Sequence, residues 1–282
     1  MPRFGAHAFI WAAEWSPAAA ERVISSAAAQ GLDFVEVPLL RPAEFDVELT
    51  QGLLKKYGLA ATCSLGLPLE ASLPEHPEVA TRFLIEVFDT AHRIGSQTVT
   101  GVTYASLGGF SGRPPTDQDY EIVADALRPV ARHAAGLGMK LGLEPVNRYE
   151  TYLMNLASQG VSLIERIGEP NVFVHLDTYH MNIEEQGFKD PIVQTGKQLG
   201  YIHLSESDRG TPGKGNVHWD EVFAGLKEIG FDGDLVMESF VAINPDIAKA
   251  TCMWRDVVGD PEALVRNGLT FLRGKTTEYG LM

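Results

Sequence analysis

Four short apolar runs in the second half of the chain each end on a residue able to bind a metal ion. They are Leu141-Gly142-Leu143-Glu144, His175-Leu176-Asp177, Tyr201-Ile202-His203 and Val236-Met237-Glu238. Taken singly, a glutamate at a strand end is a solvated loop residue and a histidine is a packed or hydrogen-bonded one. Gathered on one rim, Glu144, Asp177 and Glu238 would repel one another and lose hydration. A divalent cation resolves that conflict. Three oxygen donors and one imidazole suit Mn²⁺, Mg²⁺ or Co²⁺ better than structural zinc.

Further polar residues follow these runs. Glu150 comes after Glu144, His180 after Asp177, and Arg209 after His203. Loops beyond strand ends are where substrate contacts belong, although loop solubility explains such residues equally well. His7 and Glu36 lie on the first two predicted strands, His7 as a packing residue and Glu36 as a hydrogen-bond partner behind the site. His175 precedes Asp177 by two residues, so it points the same way one layer deeper. Cys63 falls near the same rim as a small buried or pocket-lining residue. Trp11 and Trp15 either wall a sugar pocket or simply pack. Gly210-Thr211-Pro212-Gly213-Lys214-Gly215 lacks the Lys-Ser/Thr ending of a phosphate loop and is expected to form a tight turn.

Positioning four strand ends on one rim requires a particular architecture. Predicted strands cover Phe4–Trp11, Leu32–Val37, Leu59–Leu65, Gln97–Thr103, Lys140–Glu144, Val172–Asp177, Tyr201–Leu204 and Leu235–Glu238. Predicted helices lie between them, at about 17–30, 47–57, 78–94, 117–137, 158–167, 191–199 and 219–229, and a last one spans about 261–272. Ser16-Pro17 is a helix start, and Gly31 and Gly58 are stops. Eight strand–helix units in alternation imply parallel strands with right-handed crossovers, closed as a (β/α)₈ TIM barrel over residues 1–282. An open doubly wound sheet would carry a glycine-rich first turn, and Trp11-Ala12-Ala13-Glu14-Trp15 has no glycine.

Composition narrows the function class. The 282 residues carry 23 Lys and Arg against 37 Asp and Glu, a net charge of −14. Such acidity disfavours nucleic acid and anionic membranes as partners. The two cysteines, Cys63 and Cys252, are too few for a disulfide scaffold or a thiolate zinc site. No apolar run reaches the roughly 18 residues of a membrane span. The stretch Ala8–Ala13 is too short for a secretory core, so the expected location is cytoplasmic.

The segments 142–150, 175–182, 203–207 and 237–240, in that order, resemble the ketose 3-epimerases, which include D-tagatose, D-allulose (D-psicose) and L-ribulose 3-epimerases among the xylose isomerase-like barrels. The resemblance implies that Glu144, Asp177, His203 and Glu238 bind a divalent metal, most often Mn²⁺. It also implies that Glu144 and Glu238 are the acid/base pair, and that Glu150, His180 and Arg209 hold the C1–C2 end of a free ketose. Epimerisation needs a proton removed from one face of C3 and returned to the other, so two bases are required. The alternatives are an aldose–ketose isomerase on the same barrel and a sugar-binding barrel without catalysis. A DNA-repair endonuclease of this fold would need a His-rich multi-metal site and a basic surface. The long apolar segment 241–258, with Ile243, Ile247, Met253 and Trp254, is expected to act as a lid or to join a homodimer or homotetramer interface.

Overall fold

A computed structural model describes residues 2–240, 245–257 and 259–281. Eight parallel strands close into a barrel in chain order: β1 Arg3–His7, β2 Phe34–Pro38, β3 Ala60–Gly66, β4 Thr98–Val102, β5 Lys140–Leu143, β6 Val172–Asp177, β7 Leu199–His203 and β8 Asp234–Met237. The crossover helices are α1 Pro17–Ala29, α2 Val47–Tyr57, α3 Pro77–Arg93, α4 Asp117–Gly136, α5 Ala157–Ile167, α6 Thr178–Glu184, α7 Lys189–Thr195 and α8 Trp219–Ile229. After β8 come α9 Pro245–Thr251 and α10 Pro261–Tyr279.

Local chemistry sets the helix limits. Ser16 caps α1 by accepting from the Ala19 N–H, with Pro17 in the first turn. Gly58 ends α2 in the left-handed region at φ 70°. Thr116 and Asp119 form a reciprocal capping box on α4. Apolar helix faces and outward strand residues make one large core between the barrel and its helices.

Inside the barrel, contacts join strands that are not neighbours, so they must cross the interior. Tyr201 on β7 bonds Thr62 on β3 and Glu36 on β2, and His175 on β6 bonds Thr100 on β4. The period-two alternation of each strand therefore stacks the interior in layers. Phe34, Phe173, Tyr201 and Val236 form an apolar floor. Glu36, Thr62, Thr100 and His175 form a polar layer, and the strand-end carboxylates come last. Gly142 makes room for this stack, because a Cβ there would lie 2.1 Å from Thr100 Oγ1 and 2.6 Å from Phe173 Cζ.

Several element limits differ from the sequence expectation. β1 stops at His7 rather than Trp11, because the His7 ring caps a 3₁₀ turn over Ala8–Ile10 by accepting from the Phe9 N–H. Two short helices, α6 and α7, replace the single helix expected near 191–199. Asp177 caps the first by accepting from the Tyr179 N–H, and Gly187 at φ 92° separates the two. β7 consequently begins at Leu199, not Tyr201. α10 runs on past Leu272 to Tyr279, whose ring packs 6.1 Å from that of Phe223. Within the 241–258 segment, Pro245–Thr251 is helical, Ile247 and Met253 pack with Phe240, and Trp254 is 76% exposed. Ile243 lies outside the described residues.

Candidate active site

The strand-end side chains open into a cavity of about 710 Å³ at the C-terminal mouth of the barrel. Glu144, Glu150, His180, His203, Arg209 and Glu238 form its polar side. Phe9, Trp15, Phe45 and Phe240 belong to its apolar wall, with the Trp15 and Phe45 rings stacked 6.1 Å apart at 7°. Asp177 stands behind this surface, fully buried.

His203 is the centre of the arrangement. Its Nε2 bonds Glu36 Oε2 at 2.8 Å, and the Tyr201 hydroxyl donates to the same oxygen at 2.6 Å. Its Nδ1 is buried and makes no hydrogen bond. That nitrogen lies 3.4 Å from Glu238 Oε2, 3.5 Å from Glu144 Oε1 and 3.9 Å from Asp177 Oδ2. An imidazole with one nitrogen fixed by a carboxylate and the other turned toward three carboxylates is the arrangement of a metal-ligating histidine. The donor set of three oxygens and one nitrogen fits a hard or borderline divalent cation.

Arg209 balances part of the negative charge. Its Nη1 donates to Asp177 Oδ2 at 2.6 Å, to Ser205 Oγ at 3.0 Å and to Glu238 Oε2. Burial alone would raise the Glu238 carboxyl, but Arg209 and His203 outweigh it and hold it well below the usual carboxylate range. Burial pushes Glu144 up to about 7, opposed by His203 and reinforced by Glu238 and Asp177. Burial likewise pushes Glu150 up to about 8, against the pull of Arg209. Glu36 would also be raised by burial, yet His203 and His7 draw it down to about 2. Burial disfavours a charged His203, but Glu36 and Glu238 prevail and hold it well above the ordinary imidazole value. Three carboxylates and an imidazole with such opposed shifts make a strongly interacting charge cluster.

The sequence profile of the xylose isomerase-like TIM barrels matches residues 24–275. The chain is 37% identical over 276 residues to an L-ribulose 3-epimerase of Methylomonas sp. (strain DH-1), covering 96% of each protein. It is 34% identical to the ketose 3-epimerase of Arthrobacter globiformis, covering 98% of this chain and 97% of that one. It belongs to the ketose 3-epimerase family. Among solved structures, a D-allulose 3-epimerase from Methylomonas sp. in complex with D-allulose superposes with a TM-score of 0.93 at 36% identity, over 97% of both chains. Other ketose 3-epimerases share the same barrel, including another L-ribulose 3-epimerase with a TM-score of 0.92 at 32% identity, over 99% of this chain and 96% of that one.

The fold brings all seven expected residues of this ketose 3-epimerase family member to one mouth. Glu144 follows the last residue of β5, Asp177 and His203 end β6 and β7, and Glu238 follows β8. Other expectations divide. Glu36 sits mid-strand on β2 and does support His203. His175 lies in the layer beneath, bonded to Thr100. Trp15 walls the cavity, whereas Trp11 packs and donates to Glu262 at 3.0 Å. Cys63 is buried outside the cavity, its thiol pushed up to about 12 by burial. The Gly210–Gly215 turn wraps the buried Glu206 carboxylate, which accepts from Ser207, Gly213, Val217 and the Trp219 indole. Tyr201 and Asn147 escaped the sequence reading. Tyr201 precedes His203 by two residues, and that alternation was its signal.

Proposed function

We propose that this chain catalyses metal-dependent epimerisation of free ketoses at C3, on substrates of the D-tagatose, D-allulose/D-fructose and L-ribulose/L-xylulose type. One observation carries the reading. Two glutamates from opposite ends of the second half-barrel, Glu144 and Glu238, stand 3.5 and 3.4 Å from the same His203 nitrogen inside a cavity of monosaccharide scale. The family's named activities and the relative that binds D-allulose support the substrate class.

Glu144, Asp177, His203 and Glu238 would hold the cation, with Mn²⁺ first and Mg²⁺ or Co²⁺ as alternatives. When bound, it supplies Lewis acidity toward the negative charge that builds on the sugar's C2 oxygen as C3 loses its proton. The chain's own side chains do the proton transfer. One of the two glutamates takes the C3 proton from its face of the sugar. The other delivers a proton to the opposite face, and the configuration inverts. Running the reaction backward exchanges their roles. Glu150, His180 and Arg209 hold the C1–C2 end. The stacked Trp15 and Phe45 rings give the cavity an apolar wall on which a sugar's C–H faces can pack. Glu36 orients the metal-binding ring of His203. The reading places the enzyme in the cytoplasm.

A metal-supplemented assay over a panel of free ketoses, with products separated by chromatography, tests the proposal. The expected product is the C3 epimer with no aldose. An aldose product, or no turnover of any ketose, refutes it.

A further inference from the structure

Asn147 is buried in the loop after β5, between Glu144 and Glu150, and carries none of the roles above. Its amide is fixed at both ends. The Tyr149 backbone N–H donates to Oδ1 at 2.9 Å, so the other amide atom is Nδ2, which can only donate. Nδ2 donates to Glu150 Oε1 at 2.8 Å and reaches His180 Nδ1 at 2.9 Å. The Asn147 backbone N–H donates to the same Nδ1 at 3.2 Å. Two donors on one ring nitrogen leave it only the acceptor role. The single proton of the ring therefore sits on Nε2.

The consequence appears on the other side of the ring. His180 Nε2 lies 3.3 Å from Arg209 Nη2. A bare Nε2 would accept from the Nη2–H, but with the ring proton on Nε2 neither atom accepts and the two groups meet as donors. Asp177 Oδ2 and Glu144 Oε1 stand 3.7 and 4.0 Å from Nε2, too far to take its proton. Both His180 and Arg209 line the cavity. Two N–H groups converging at this separation match one oxygen with two lone pairs, such as a carbonyl or hydroxyl oxygen.

We infer that Asn147 is a positioning residue that locks His180 in its Nε2–H form, so that His180 and Arg209 present two convergent donors to a single ketose oxygen. The inference rests on the proposed epimerase reading for the identity of that oxygen. The Nδ2 bond to Glu150 fixes a third substrate contact at the same time. The His180 side chain thus grips an acceptor and never offers one.

The tautomer is directly observable. In Mg²⁺-supplemented protein labelled with ¹⁵N-histidine, a long-range ¹H–¹⁵N correlation distinguishes protonated from bare ring nitrogens, and His180→Gln assigns the signals. His180 is expected with a bare Nδ1 and a protonated Nε2. A protonated Nδ1 in the wild-type protein overturns the inference, whatever the activity. Asn147→Asp replaces the Nδ2 donor with an acceptor of the same shape. It is expected to shift the ring proton to Nδ1 and to raise KM for the ketose at least tenfold, with a smaller change in kcat. An Asn147→Asp protein that keeps the Nε2–H form and the wild-type KM also overturns it. If the wild-type chain turns over no ketose, the epimerase reading fails, while the wild-type ring spectrum still decides the tautomer.

Discussion

Each glutamate flanking His203 is asked to handle a proton at carbon, and each has one substitution that isolates this task. Glu144→Gln and Glu238→Gln keep the shape of the side chain and remove its basicity. General acid/base catalysis contributes about 10²- to 10⁴-fold, so kcat is expected to fall by at least about 10²-fold in either variant. Circular dichroism and melting should show an intact fold, and near-wild-type turnover would refute the two-base mechanism. Glu36 acts one bond further out, by holding His203 Nε2. Glu36→Gln is expected to weaken metal affinity by roughly 10- to 100-fold, as loss of an orienting partner does at such centres. Titration calorimetry with Mn²⁺ reads this directly, and an unchanged Kd would remove Glu36 from the site's support.

At the scale of elements, the loop between β7 and α8 depends on one buried carboxylate. Glu206 accepts three backbone N–H groups and the Trp219 indole, and burial, which would raise its pKa, is outweighed by those donors. Its folded pKa is therefore lowered. Its contribution to stability is present above the ordinary glutamate value and is lost as pH falls through the folded pKa. Glu206→Gln turns an amide N–H toward those donors and leaves at least one of them unsatisfied. The expected cost is about 2 kcal/mol near pH 7, read from urea midpoints, and it should shrink in acid below about pH 4. Arg209 lies three residues along and takes positive φ at 63°, so the same variant tests how far this loop sets the guanidinium. A pH-independent penalty would show that packing, not the charge, is what Glu206 contributes.

For the whole molecule, a cation bound only by the folded chain links activity to stability. Chelation is expected to abolish epimerisation, and Mn²⁺ or Co²⁺ to restore it. At about 100 times its Kd, the metal should stabilise the fold by roughly 2.7 kcal/mol, a rise in Tm of several degrees by calorimetry. Full activity and an unmoved Tm after exhaustive chelation would show that no metal is required. We also propose a homodimer or homotetramer, with the exposed Trp254 and its neighbours near the mouth as part of the interface. A monomer by light scattering at micromolar concentration refutes that. None of the helices in the described residues is long and apolar enough to cross a membrane.

The amino-acid sequence by itself determined the barrel and the identity of its strand-end residues. Period-two strands and 3.6-period helices are local patterns, and strict alternation admits few closed topologies. Once eight strands are in order, a carboxylate or imidazole at each of four strand ends must share one rim. Element limits were less legible, because a cap or a glycine outside the periodic run decides them, as Asp177 and Gly187 do between β6 and α7. What only the tertiary structure decided are the relations between residues far apart in the chain. Glu36 and Tyr201 meet at one oxygen across the barrel, Trp11 and Trp15 part ways, and Asn147 reaches His180. Such contacts depend on barrel closure and loop path, which bring together side chains that no sequence spacing relates.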